Sequence, residues 1–328
     1  MNESAVLAIF EAKRRPLSDP LIVHVLDTVA ALKCVDLAGS ERAEEVFATL
    51  TQKFWPGPLT LVCPARPDMP KCLSAGTNTI GVRSPSHLLA RKVLEAAAVP
   101  IAAPSANLFG HVSPTSAKHV LDDLGDQDIA VLNGEEEDNK NCEHGIESTV
   151  CKIEVRDDDR VAVVVYRRGA LARHDIEAAL LGFSKFCVVE DKFKETPDSS
   201  ANCAPGQLLT HYAPRLPSFL VSLEATASDT ADIDKAVVVD FQGRLQALEG
   251  SCLAYRDLSP TGDAAIAAAD LFTALRWAED VPGAVHVFIA DLSQERFAND
   301  LLAGVADRLY RAASGRHLKL LPGKKKTT

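Results

Sequence analysis

Residues 1–25 read MNESAVLAIFEAKRRPLSDPLIVHV. Asn2, Glu3 and Ser4 are the residue types that cap a helix, and Val6, Ile9 and Phe10 give it an apolar stripe. Pro16 cannot continue that helix. The stretch therefore predicts a helix ending in the basic knot Lys13-Arg14-Arg15, followed by a strand over Leu21–Val25. Two cations on a short loop between helix and strand suit a polyphosphate, Lys13 as a point charge and Arg15 as a planar fork. A solvated basic helix end, favoured by the helix dipole, accounts for the same residues.

Working outward, residues 37–53 read as helix, broken by Trp55-Pro56-Gly57-Pro58. Leu59–Cys63 and Thr79–Val82 read as strands, Leu88–Ala98 as helix, and Val99–Ala103 as an apolar run. Thr115–Leu124 reads as helix and Ile129–Leu132 as strand, with Glu135–Asn141 a solvated acidic loop. Ser148–Val155 and Ala162–Tyr166 read as strands, Asp175–Leu181 as helix. The spacing is too uneven for a simple alternating doubly wound sheet, so the class is mixed α/β. Residues 186–216 turn polar and proline-rich, a linker or a segment draped over a surface. Beyond it, strands at Ala236–Asp240, Ala254–Leu258 and Ala284–Ala290 alternate with helices at Ala264–Ala278 and Phe297–Ala313, Gly315 closing the last. Lys324-Lys325-Lys326 makes the tail basic.

The 328 residues suffice for one large domain or two ordinary ones. A composition 47% apolar and 24% charged, with mean hydropathy near zero, is that of a globular protein without a membrane-spanning helix or secretory signal. A net charge of −10 argues against a protein living by non-specific phosphate contacts. The eight cysteines form no Cys-x-x-Cys pair and read as reduced core residues.

Five further clusters are chemically suggestive. Val99–Asn107 runs an apolar strand into Ala-Pro-Ser-Ala-Asn, presenting Ser105 and Asn107 beside small residues. Ser113-Pro114-Thr115 opens a helix. Gly145-Ile146-Glu147-Ser148-Thr149 enters a strand, Arg83 ends one, and His211-Tyr212-Ala213-Pro214 lies in the linker. Each also has an ordinary reading as turn, cap or surface cation. No Walker loop, G-x-G-x-x-G loop or Ser-His-Asp order is present.

Taken in order, AKRRPLSDPLIVHV, FWPGPLTLV, TIGVRSP, VPIAAPSAN with VSPTSA, GIESTV, YRRGA, PGQLLTHYAP and DRLYRAASGR resemble the long, two-domain form of the threonylcarbamoyl-AMP synthase, or YrdC-like, family. The resemblance implies a curved mixed sheet with helices over residues 1–185, a linker or lid over 186–216, a smaller Rossmann-like domain over 217–320 and a basic tail over 321–328. It implies a cytoplasmic nucleotidyltransferase that joins L-threonine, bicarbonate and ATP, with Mg2+ riding on the nucleotide and no protein-bound metal. The product would pass to the machinery that threonylcarbamoylates tRNA, with contact to tRNA itself.

By motif position, Lys13, Arg15, Ser105 and Asn107 are expected to be catalytic. Arg15, Asp19, Thr79, Ser105, Ser113, Arg167 and Tyr212 are expected on ATP. His24, Arg83, Ala103 and Ser148 are expected on threonine, with Arg83 clamping its carboxylate. This sequence has Asp19 where the family usually has Asn, and Arg168 where it has Pro. The family's P-T-E-T-x-Y-G-L-G strand and loop, a source of one threonine contact, precedes the first helix and has no counterpart in these residues. The alternative is a non-catalytic YrdC-like RNA-binding or interaction protein.

Overall fold

The computed structural model describes residues 1–134, 145–192, 206, 208–224, 231–297 and 299–321. From Met1 to Ser105 the chain forms α1 (Glu3–Lys13), β1 (Ile22–His24), α2 (Thr28–Ala31), α3 (Glu41–Phe54), β2 (Leu59–Pro64), β3 (Thr79–Arg83), α4 (Leu88–Ala97) and β4 (Ile101–Ala102). It then contributes α5 (Ala117–Leu124) to a second compact unit. β5 (Thr149–Val155), β6 (Val161–Arg167), α6 (Arg173–Ala179) and β7 (Cys187–Asp191) belong again to the first. The second is completed by β8 (Ser218–Leu223), β9 (Ala236–Asp240), β10 (Ala254–Asp257), α7 (Ala264–Asp280), β11 (His286–Ala290), α8 (Asp300–Ala312) and β12 (His317–Leu320).

The helix expected at the start is α1. Asn2 caps it, its side-chain oxygen accepting from the Ser4 and Ala5 N–H groups. Arg14 ends it in the left-handed region, and Arg15 N–H closes on the Phe10 carbonyl. α3 starts at Ser40, later than residue 37, because that side chain accepts from Ala43 N–H and caps the helix there.

The first unit is a seven-stranded mixed sheet ordered β4-β1-β3-β2-β5-β6-β7. Its alternation sorts side chains onto two faces. Val23, Leu59, Leu61, Ile80, Val82, Cys151, Val163 and Val165 join Val6 and Phe10 of α1, Ala31 of α2, Val46, Phe47 and Leu50 of α3, and Ile176 of α6 in one core. The other face carries a smaller cluster drawn from strands alone: Val62, Val150, Ala162, Val164 and Tyr166.

The second unit is a five-stranded sheet, every pairing parallel, ordered β10-β9-β11-β8-β12. Runs such as Ala236–Asp240 are buried throughout, as a parallel sheet covered by helices requires. Gly145 shows why a glycine stands there. Its φ is +67°, and a Cβ would lie 2.1 Å from the Ala268 carbonyl of α7.

Several expectations change. Ile129–Leu132 is not a strand; Ile129 and Leu132 are exposed, and among the described residues no strand supplies ladder bonds. The boundaries expected at 185 and 216 also differ from the observed units, Met1–Ser105 with Glu147–Leu208 and Ala106–Ile146 with Leu209–Thr328. β7 pairs with β6 and so extends the first sheet past 185. Residues 209–216 are tied to the second unit by bonds such as Ala213 N–H to the Gly110 carbonyl, 2.9 Å. The acidic loop, residues 193–205 and 207 of the expected linker, and all but Leu321 of the tail lie outside the described residues.

Phe47 is fully buried in the first core and meets Trp55 edge to face at 6.0 Å. Phe47→Ala is expected to destabilise the first unit by about 3–5 kcal/mol. Urea unfolding followed by Trp fluorescence checks it, and a change under about 1 kcal/mol would contradict this packing.

Candidate functional site

The β1–β3 register sets Ile22 against Gly81 and His24 against Arg83. Because side chains alternate, Ile22, His24, Thr60, Val62, Thr79, Gly81, Arg83, Ile101 and Ala103 share the face opposite the helical core. Gly81 leaves that face bare at its centre, with Thr60 and Ile22 atoms as its nearest neighbours. The residues expected to bind ligands fall at its two ends.

At the end where β1 begins, Lys13 is buried in the last turn of α1. Its Nζ donates to the Ser105 carbonyl at 2.6 Å, joining residues 92 positions apart. Arg15 is buried too, and its fork serves its own loop. Nε donates to the Asp19 carbonyl at 3.0 Å, Nη2 donates to the Pro20 carbonyl at 2.6 Å, and Nη2 pairs with the Asp19 carboxylate at 2.7 Å. Asp19 is wholly buried against Arg15, which makes it a brace for that side chain. Ala103 N–H donates to the Ile22 carbonyl and so brings the Ser105 loop alongside. Extending the β1–β3 register places Thr79 level with Pro20, at this same end, where its hydroxyl shares a hydrogen bond with Thr77.

At the other end stand His24 and Arg83, directly opposed across parallel strands. Arg83 Nε donates to the Gly57 carbonyl at 3.0 Å. Burial pushes the His24 imidazole down to about 4, and the Arg83 charge pushes the same way, so His24 is neutral near pH 7. Thr60 lies level with Arg83 and is fully buried, its hydroxyl sharing a 2.8 Å hydrogen bond with Ser148. Arg167 donates twice to the Ser148 carbonyl, at 3.0 and 3.2 Å, and once to its hydroxyl. Gly169 permits this arrangement: a Cβ there would lie 2.3 Å from the Glu147 carbonyl. Arg167, expected on ATP, thus lies against Ser148, expected on threonine. Thr79 and Arg83, four residues apart, are separated by about 13 Å of extended strand.

Asn107, Ser113 and Tyr212 are in the second unit. Asn107 is buried and donates to the Leu108 and His111 carbonyls, at 2.8 and 2.9 Å. Ser113 is buried. Tyr212, at φ +59°, packs on Phe272 with ring centroids 5.4 Å apart and lies under Arg308. Sequence reading missed Thr60 and Gly81, which carry meaning only once the strands are in register. Among the described residues no three or more His, Cys, Asp or Glu side chains are grouped to hold a metal, and no helix is long and apolar enough to cross a membrane.

Residues 1–169 match the family model described as telomere recombination, the Sua5, YciO and YrdC group. Residues 171–314 match the model described as the C-terminal domain of threonylcarbamoyl-AMP synthase. A threonylcarbamoyl-AMP synthase of Pyrococcus abyssi is 37% identical over 214 residues, 65% of this chain and 57% of the relative. That of Bacillus subtilis is 39% identical over 217 residues, 66% of this chain and 57% of the relative. The chain thus spans a little over half the length of these curated relatives. Among solved structures, Pyrococcus abyssi Sua5 complexed with L-threonine superposes with a TM-score of 0.75 at 29% identity, over 97% of this chain and 87% of that one.

Two outcomes are expected. A buried pair with one partner neutralised is costly, so Asp19→Asn should destabilise the first unit by about 3–5 kcal/mol, read by urea unfolding; an unchanged midpoint would show the brace idle. For His24 the unfolded chain takes up a proton near its ordinary value of 6.5, and the folded chain only near 4. The stability contributed by His24 should therefore fall as pH drops through that window, by up to about 3 kcal/mol, and be constant above it. His24→Asn should remove the slope, and an imidazole NMR titration near 6.5 in the folded chain would contradict the assignment.

Proposed function

The chain belongs to the Sua5, YciO and YrdC family, and on that premise we propose that it makes threonylcarbamoyl-AMP from L-threonine, bicarbonate and ATP. The observation that carries this reading is the two-ended sheet face. Lys13, Arg15, Ser105 and Thr79 gather where β1 and β3 begin, and His24, Arg83, Thr60 and Ser148 where they end. One end offers cations for phosphate; the other offers a carboxylate clamp beside a neutral imidazole and buried hydroxyls.

In the proposed reaction, bicarbonate takes up a proton and its C–OH bond breaks, releasing water and carbon dioxide; the threonine amine nitrogen then bonds to that carbon and gives up a proton, leaving the carbamate. A carbamate oxygen then attacks the α-phosphorus of ATP. The bond from that phosphorus to the bridging oxygen breaks, and pyrophosphate leaves with its Mg2+. Charge accumulates on phosphate oxygens, so fixed cations at Lys13 and Arg15 do most of the work and no covalent nucleophile is needed. Arg15 enters already aimed by Asp19. Arg83 takes the threonine carboxylate as a fork. His24 adds no second positive charge against the threonine nitrogen, and Ser148 with Thr60 suits its hydroxyl. Ala103 lines the same face, and Arg167 acts through Ser148. Asn107, Ser113 and Tyr212 enter on resemblance alone. The product, a mixed carbamic–phosphoric anhydride, would supply the threonylcarbamoyl group for tRNA.

The test is pyrophosphate release from ATP with and without threonine and bicarbonate. Arg83→Ala should raise the threonine KM by about 10- to 100-fold with the ATP KM little changed, whereas Lys13→Ala should lower kcat by a similar factor. Pyrophosphate release that ignores threonine, or none from the unsubstituted chain, would overturn the reading.

A further inference from the structure

The second unit buries a charge cluster that the proposed chemistry does not use. His111 lies between the two carboxylates of Asp123 on α5 and Glu279 on α7. Its Nδ1 is 2.8 and 2.9 Å from the Asp123 oxygens, and its Nε2 is 2.9 and 3.0 Å from those of Glu279. Arg276, one turn before Glu279, donates to both Asp123 oxygens and to the Val112 carbonyl. Arg215 reaches Asp123 with its side chain at 3.1 Å and donates its N–H to Glu279 at 2.9 Å.

Two stretches of chain hang on this cluster. Leu108 N–H donates to Asp123, and Asn107 Nδ2 donates to the His111 carbonyl. Ala213 N–H donates to the Gly110 carbonyl, and His111 and Ala213 form a parallel bridge. The loop bearing Asn107 and Ser113 and the segment bearing His211 and Tyr212 are thereby knitted together around His111.

A neutral imidazole has one N–H and one lone pair; only the imidazolium donates from both nitrogens. Here both nitrogens face carboxylates, and Asp123 has 0% side-chain exposure. Deprotonated, the ring would turn a lone pair on one of them and give up one of its two charge-assisted hydrogen bonds.

We propose that His111 is a positioning residue: as an imidazolium clamped between Asp123 and Glu279, it holds the Asn107–Ser113 loop and the His211–Arg215 segment in one arrangement, and its deprotonation loosens both. The role for these segments in handling the nucleotide rests on the function proposed above; the clamp itself does not. The groups facing His111 are Asp123, Glu279 and, through them, Arg276 and Arg215. Lys118, His119, Asp122 and Asp280 line the adjoining cavity of about 250 Å³. Burial works to raise the carboxyls of Asp123 and Glu279, but hydrogen bonds led by Arg276 for Asp123 and by His111 for Glu279 outweigh it. Asp123 is held down to about 2 and Glu279 below its ordinary range. Both carboxylates are therefore held in the charged form in the folded chain.

The experiment is amide hydrogen exchange on the full chain between about pH 5 and 9, corrected for intrinsic rates, with ATP kinetics alongside. Protection at Leu108, Ala213 and Arg215 should fall at least about tenfold as pH rises in the unsubstituted chain. His111→Gln should show the low protection at every pH, with a raised ATP KM. Glu279→Gln, whose amide can donate to a neutral ring or accept from its N–H, should stay protected and lose the pH dependence. It also keeps the inference testable if His111→Gln fails to fold. Protection that is flat with pH in the unsubstituted chain, or His111→Gln that matches it, would overturn the clamp. An unsubstituted chain with the expected exchange but no threonine-dependent turnover would sink the functional reading and leave the clamp standing.

Discussion

Side chains on a strand point alternately to opposite faces, and the first unit depends on that alternation more than on any single bond. Val23, Ile80, Val82, Leu59 and Leu61 must meet α1, α3 and α6 to leave water. Once they do, Ile22, His24, Thr79, Gly81, Arg83 and Thr60 are committed to the other face. A slip of one residue in β3 would bury Arg83 among apolar side chains and turn Val82 outward. The hydrophobic effect that stabilises the helical core thus sets the polar face as well, and no separate force has to assemble it.

The electrostatics on that face follow from depth. Arg15 and Asp19 are taken out of water together, a combination that tolerates burial only because carbonyls of the same loop accept the remaining fork N–H groups. His24 answers the same desolvation by shedding its proton, since its neighbour is a cation and not a carboxylate. His111 in the second unit sits in the opposite surroundings, with a carboxylate at each nitrogen. Two histidines in one chain are thus placed in contrasting fields, one beside an arginine and one between two anions.

Much of this was legible beforehand. The cap at Asn2, the stop at Pro16, and strands at Leu59, Thr79, Thr149 and Val161 announce themselves through side-chain chemistry and period. β7 was not seen because Cys187–Asp191 offers only one buried position in its five residues and becomes a strand by pairing with β6. β8 was hidden by its nearness to Pro214 and Pro217, and β12 by its shortness and its charge. Ile129–Leu132 misled in the other direction: it has the apolar run of a strand, but no strand among the described residues pairs with it. The candidate ligands were legible only as motifs. Arg15 and Asp19 are four residues apart, yet nothing in that spacing shows that Asp19 is wholly buried as a brace for Arg15.

Residues 106–146 leave the sheet after β4 and return at β5, and this excursion explains why the cluster at His111 could not be read from sequence. His111 and Asp123 are twelve residues apart, but Arg276 and Glu279 lie more than 150 residues further on. A buried carboxylate such as Asp123 is stable only with cations at hand, and its cations come from α7 and from the segment after Pro214. Through Asp123, which takes the Leu108 N–H, the Asn107 loop is tied to side chains far along the chain, so its arrangement depends on contacts that only long-range packing brings together.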